Sequence, residues 1–262
     1  MAQIFAIVNQ KGGVGKTTTT LNLGAYLANA GKRVLIVDLD PQGNASSGIG
    51  INHNEVEHGL YEVLTGQSVV SQALHKTGHE GLHVIPTNQN LAGASVELVS
   101  HENREFVLHK ALEPLKSEYD FILVDCPPSL GLLTLNGLVA SDQVVIPIQA
   151  EYYALEGLGQ LLNTIELVRD NLKPELNVFG AVITMYDQRT KLSRDVLKEL
   201  YKHFPNKIFR SVIPRSVRLA EAPSFGQTIL GYDPGSKAAR AYERLTHEFL
   251  LRDEERRETK TL

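Results

Sequence analysis

Eight residues limit what this chain can fold into more than any others. Lys11-Gly12-Gly13-Val14-Gly15-Lys16-Thr17-Thr18 follows the apolar run Ile4-Phe5-Ala6-Ile7-Val8 and leads into Leu21-Asn22-Leu23-Gly24-Ala25-Tyr26-Leu27. A buried strand, a glycine turn and then a helix is the setting a phosphate-binding loop requires. Glycines let backbone N–H groups converge on an anion, and a helix starting near Lys16 adds the positive end of its dipole. Lys16 is positioned to reach the β- and γ-phosphates of a nucleotide, and the Thr17 hydroxyl to sit on Mg²⁺. Two lysines and a run of threonines in one turn need a compensating anion. The loop therefore reads as an ATP or GTP site.

The common form of such a loop has glycine six residues before its lysine, where this chain has Gln10, and it lacks the extra lysine, Lys11. A second strand is expected at Arg33-Val34-Leu35-Ile36-Val37, and it ends in Asp38-Leu39-Asp40-Pro41-Gln42-Gly43-Asn44. In open α/β sheets ligands bind beyond the carboxyl ends of strands, so both carboxylates are delivered to the phosphate site, on the same side by alternation. Asp38 is expected to support Mg²⁺, and Asp40 to orient or deprotonate the attacking water. The competing reading is that both cap the following turn, which Pro41 and Gly43 favour. Phe121-Ile122-Leu123-Val124-Asp125 is a second buried strand ending in a carboxylate, the further acidic element such a site needs for Mg²⁺. Cys126 reads as a small buried residue.

Further strands are expected at 82–86, 144–148, 178–184 and 208–213, with helices at 90–100, 103–115 and up to 171. Their alternation predicts an α/β fold, a single P-loop domain whose mostly parallel twisted sheet has helices on both faces. With 262 residues, 42% of them hydrophobic, one core over 1–252 is the default, and 253–262 reads as a frayed charged tail. Between 46 and 81 the pattern is weaker. Val56, Leu60, Val63 and Leu64 suggest one helix, and Val69, Val70 and Leu74 another short one. His75, His79 and His83 recur every four residues, but Gly78 and Gly81 interrupt any helix and no Cys or acidic pair completes a metal shell, so they are expected at the surface.

Cys126 is the only cysteine, which excludes an intramolecular disulfide, and no stretch reaches the ~20 apolar residues of a membrane span. Met1-Ala2-Gln3 runs straight into a strand without a charged leader, so a cytoplasmic location is expected. The net charge of −4 is unevenly spread, with 10 Lys+Arg against 19 Asp+Glu over 1–184, 13 against 7 over 185–252, and 3 against 4 in the last ten residues. A basic third on an acidic body is a footprint to test against DNA.

The loop resembles the deviant K-G-G-x-G-K-[ST] loop of the MinD/ParA group of ATPases. Nearly the whole chain is similar to the ParA/Soj chromosome-partitioning ATPases, through that loop, the 38–44 block, Asp125-Cys126-Pro127-Pro128-Ser129-Leu130-Gly131, Glu151-Tyr152-Tyr153-Ala154-Leu155-Glu156-Gly157, and Pro214-Arg215-Ser216-Val217-Arg218-Leu219 with Glu221-Ala222-Pro223-Ser224. The resemblance implies that ATP, bound with Mg²⁺ at 11–18, closes a sandwich homodimer in which Lys11 reaches the partner's ATP. It implies a catalytic role for Asp40 and Mg²⁺ support from Asp125. Pro214 and Ser216 match positions on the nucleotide's base side, although asparagine is frequent in the family at the second. Arg189 and Arg218 match arginines the family uses on non-specific DNA. Hydrolysis, stimulated by a ParB-type centromere-binding partner, is implied to release a nucleoid-associated dimer.

The main competing reading is a MinD-like membrane-surface switch, which requires a C-terminal amphipathic helix with a basic polar face. Tyr242, Leu245, Phe249 and Leu250 form an apolar stripe, but Asp253-Glu254-Glu255-Arg256-Arg257-Glu258 is mixed and mostly acidic, so that helix is expected to pack on the sheet. A nitrogenase-iron-protein relative would need two cysteines per subunit for its cluster. An amide ligase is excluded by no missing residue.

Overall fold

In the computed structural model, which describes residues 1–151 and 154–261 and, of these, all side chains but those of 260 and 261, eight strands form one sheet. They are β1 (Gln3–Ile7), β2 (Val34–Asp38), β3 (His75–Lys76), β4 (Leu82–Ile85), β5 (Phe121–Asp125), β6 (Gln143–Gln149), β7 (Asn177–Tyr186) and β8 (Ile208–Pro214). Their order is β3-β4-β2-β5-β1-β6-β7-β8, all parallel except the short β3 on β4. The chain fills one side of β1 with β2 to β5 and then crosses to the other side with β6. That reversal opens a crevice at the carboxyl end of β1, where ligands of such sheets bind.

The sheet is covered on both faces because its strands carry apolar residues at successive positions. Alternate residues of one strand enter different cores. Ile4, Ala6, Leu35, Val37, Ile122 and Val124 face one, with Leu133, Leu138, Leu161, Ile165, Val196 and Leu200 from helices Leu132–Ala140, Ala154–Asn171 and Lys191–His203. Phe5, Ile7, Val34, Ile36, Phe121 and Leu123 face the other, under helices Lys16–Asn29 and Lys237–Thr261.

The C-terminal stripe docks as expected. Tyr242, Leu245 and Phe249 are buried, and the Phe249 ring lies 4.8 Å from Phe5, 4.9 Å from Phe179 and 5.6 Å from Phe121. With that face committed to the sheet, Leu251 is the one large apolar side chain this helix leaves exposed among the described residues, too little to lay into a bilayer. Phe249→Ala is expected to destabilise the protein by roughly 3–5 kcal/mol, read as a lowered urea midpoint, because the cavity lies between rigid strands and cannot collapse.

Three expectations are corrected. Residues 253–261 are helical rather than frayed, since the helix continues to Thr261 with Asp253 only 3% exposed and accepting hydrogen bonds from Arg256 at 2.6 Å and Arg257 at 2.7 Å. Its charges stand three and four residues apart and pair along the helix. The expected helix 103–115 is divided into a 3₁₀ turn Arg104–Phe106, an α-helix Val107–Leu112 and a second 3₁₀ turn Glu113–Ser117, where Pro114 has no N–H to continue the ladder. The three histidines are half-buried rather than at the surface: His79 Nε2 lies 2.9 Å from Thr228 Oγ1 and His83 Nδ1 2.8 Å from the Tyr119 hydroxyl, and among the described residues no group of three or more His, Cys, Asp or Glu is placed to hold a metal. Helix Asn44–Gly48 and strand β3 were invisible to periodicity, being five and two residues long.

Candidate active site

The loop leaves β1 and enters the helix at Lys16, with Gly15 as N-cap in the left-handed region at φ 88°. An L side chain there would be strained, and its Cβ would lie 3.6 Å from Thr184. Thr184, at the end of β7, donates to the Val14 carbonyl at 2.7 Å and ties the loop to that strand. Asn9 braces the other end, donating to the Pro147 carbonyl at 2.7 Å and accepting from Lys11 N–H at 3.0 Å. Gly12, Gly13, Gly15, Lys16, Thr17 and Thr18 line a cavity of about 590 Å³, with Asp40 across it.

Lys16 is 6% exposed and donates to the Lys11 carbonyl at 3.2 Å. Burial pushes its ammonium pKa down, against the attraction of Asp125 and Asp40. A buried cation whose desolvation outweighs the pull of two nearby carboxylates is suited to an anion with several oxygens.

Parallel pairing sets Asp38 of β2 beside Asp125 of β5. Thr17 donates to Asp125 Oδ2 at 2.7 Å and Thr20 to its Oδ1 at 3.0 Å. Asp38 accepts from Ser46 N–H at 2.7 Å and Ser46 Oγ at 2.6 Å. Burial, with Asp38 beside it, raises the Asp125 pKa to about 7, and burial raises that of Asp38 to about 6 although the Ser46 bonds oppose it. Two crowded carboxylates and a threonine hydroxyl form an all-oxygen set, which fits a hard divalent cation such as Mg²⁺. Asp40 Oδ1 accepts from Gln42 N–H at 3.0 Å, so the turn-cap geometry exists, yet Asp40 still lines the loop cavity.

Lys11 is not among the residues lining that cavity. Its side chain is 51% exposed and ion-paired with Glu151 beyond β6. Pro214 and Ser216 line a smaller cavity of about 210 Å³, which shares Gly15, Thr18, Met185 and Leu219 with the first. Arg189 and Arg218 are exposed and each is held by carboxylates. Arg189 makes a two-pronged pair with Asp187, at 3.0 and 2.8 Å, which holds the Asp187 carboxyl down at about 2. Arg218 bonds Glu221 at 3.1 Å and lies 3.6 Å from Asp233. Tyr186 pairs with Pro214, so the two arginines leave from neighbouring strand ends. Asn9, Ser46 and Thr184 went unnoticed in the sequence. Asn9 alone had a usable signal, a polar residue between a buried strand and the loop.

A phosphate cradle and paired carboxylates at the crevice of a parallel sheet define a P-loop nucleotide-binding protein. The family model described as AAA domain matches residues 2–178. The sporulation initiation inhibitor protein Soj of Bacillus subtilis is 55% identical over 248 residues, 95% of this chain and 98% of that protein. The chromosome-partitioning ATPase Soj of Thermus thermophilus is 51% identical over 251 residues, 96% of each. A solved structure of cobyrinic acid a,c-diamide synthase from Mycobacterium smegmatis, with bound ATP analog and magnesium, superposes with a TM-score of 0.84 at 40% identity, covering 94% of this chain and 93% of that one. The chain belongs to the Soj/ParA family of chromosome-partitioning ATPases.

Proposed function

We propose that this chain is a DNA-partitioning ATPase in which ATP closes a homodimer, the dimer holds non-specific DNA, and hydrolysis releases it. Gly12, Gly13, Val14, Gly15 and Thr18 would present backbone N–H groups to the phosphates, Lys16 would neutralise them, and Pro214 and Ser216 would border the base. Mg²⁺, held by Thr17 with Asp38 and Asp125 in support, supplies charge neutralisation at the phosphate oxygens when bound. Asp40 would orient the attacking water and take its proton.

The observation that carries the reading is the position of Lys11. A loop lysine turned away from its own phosphate cavity is available to a second subunit, where it would stabilise charge at the partner's nucleotide as an arginine finger does. Turnover is then slow until a ParB-type partner aligns the site, and the DNA-bound form resides on the nucleoid. Sedimentation with ATP, ADP and no nucleotide, run beside a gel shift on non-specific DNA, tests this. A monomer in all three states, or equal DNA affinity with ATP and without nucleotide, refutes it.

Arg218→Glu is expected to weaken DNA binding by tenfold or more while the ATP-dependent dimer mass is unchanged. The substitution removes a phosphate contact and sets a third acid beside Glu221 and Asp233. Full affinity at matched salt would remove Arg218 from the DNA face.

A further inference from the structure

Helix Lys191–His203 carries a feature that the site does not use. Lys191, Arg194, Lys198 and Lys202 recur at intervals of three and four residues, all exposed, while Ser193, Val196 and Leu200 on the opposite side are buried. At 1.5 Å per residue the four cations mark out a stripe about 16 Å long. Among the described residues Lys191, Arg194 and Lys198 have no ion pair and no side-chain hydrogen bond, and Lys202 reaches only Glu199, at 3.9 Å. Arg33, Arg104, Lys116, Arg189, Arg218, Arg252 and Arg256 are all paired. Lys237, Arg240 and Arg244 on the last helix are exposed without an ion pair among the described residues as well, but only the 191–202 stripe follows directly on Arg189.

Helix stability does not explain the pattern. The first turn contains no acid, although the positive end of the dipole favours Asp or Glu there and disfavours Lys191 and Arg194 by some tenths of a kcal/mol each. Asp195, three and four residues from Lys198 and Lys191, borders the stripe, yet among the described residues it pairs with neither of them, and of the stripe's cations Glu199 reaches only Lys202. The stripe starts two residues beyond Arg189, and Arg215 is close enough to depress the Asp187 carboxyl as well. Arg218 lies in the short helix Val217–Glu221 that follows β8, the strand beside β7.

We propose that this helix face is a DNA-backbone track that extends the Arg189 and Arg218 surface, each unpaired cation replacing a counterion on a phosphate. This rests on the DNA-binding reading above and adds the extent of the surface. A polyanion without hydrocarbon fits better than an anionic membrane, because Val196 and Leu200 are committed to the protein core and only Leu192 and Tyr201 are left exposed among the helix's described residues, too little for a bilayer-facing apolar stripe. Counterion release gives the effect a measurable form. Each lost phosphate contact flattens the dependence of log affinity on log salt by about 0.9.

The test uses the full-length ATP-loaded protein and the double variant Arg194→Gln/Lys198→Gln, with fluorescence anisotropy on a non-specific duplex across a salt series. Lys76→Gln/Lys110→Gln, which removes the same charge from other exposed positions, is the control. A slope shallower by about 1.8 for each subunit that touches the duplex, so by about 3.6 for a dimer engaged through both, with affinity roughly tenfold weaker or more at low salt, is expected for the stripe variant. The control should keep the wild-type slope, and all three proteins should give the same ATP-dependent dimer mass. An unchanged slope in the stripe variant overturns the track and leaves the DNA-binding reading intact, since wild type still binds. Equal loss in the control overturns it too, by making the effect one of net charge. No ATP-dependent DNA binding by wild type removes both, as does stripe-dependent binding to phosphatidylglycerol vesicles in its place.

Discussion

Lys16→Ala should abolish ATP binding, raising the dissociation constant by 100-fold or more, and with it the ATP-dependent dimer. The ammonium sits inside the loop with a single carbonyl partner, so its deletion takes a charge-assisted contact from the phosphates without breaking a network that the fold depends on. Relief of a partly desolvated charge means that the thermal midpoint should stay level or rise, which separates lost binding from unfolding. Titration calorimetry with ATP and Mg²⁺, beside a melting curve, measures both. ATP-dependent dimers in this variant would contradict the assignment of the loop.

Asp40→Ala should do the opposite, keeping ATP affinity within a few-fold while turnover falls by roughly 10²–10⁴. The dimer then persists and stays on DNA. Because Asp40 also caps Gln42 N–H, the alanine change costs about 1 kcal/mol of local turn stability as well. Asp40→Asn separates the two roles, since an amide oxygen can still accept from Gln42 but takes no proton. If Asp40→Asn hydrolyses ATP at the wild-type rate, Asp40 is a cap and nothing more. Steady-state phosphate release by the three proteins, with partner and DNA present, distinguishes the readings.

The deviant loop, the acidic strand ends and the docked C-terminal stripe were legible because each is a pattern within one stretch of chain. Asp38 and Asp40 were legible for the same reason, although whether they cap or catalyse was not, and the observed geometry permits both. Arg189 and Arg218 could be named from the motifs that carry them, while their pairing with Asp187, Glu221 and Asp233 depends on rotamers and turns that no motif specifies. The segment 46–81 was the hardest. Its elements are two to five residues long, shorter than the period needed to recognise them, and neighbouring elements hold them.

By itself the amino-acid order determined the class of fold, the phosphate loop and the sign of charge along the chain, since each follows from residue type and spacing over a few turns. Only the tertiary structure decided which distant groups meet. Strand register put Asp125 against Asp38 and brought its carboxylate to Thr17, 108 residues away. The order of β1 and β6 turned Lys11 toward Glu151 and out of its own cavity. Helix packing left the stripe of Lys191, Arg194 and Lys198 outward and unpaired. Contacts of this kind depend on strand order and helix orientation, which are properties of the whole chain closing on its core, and a local period carries no record of them.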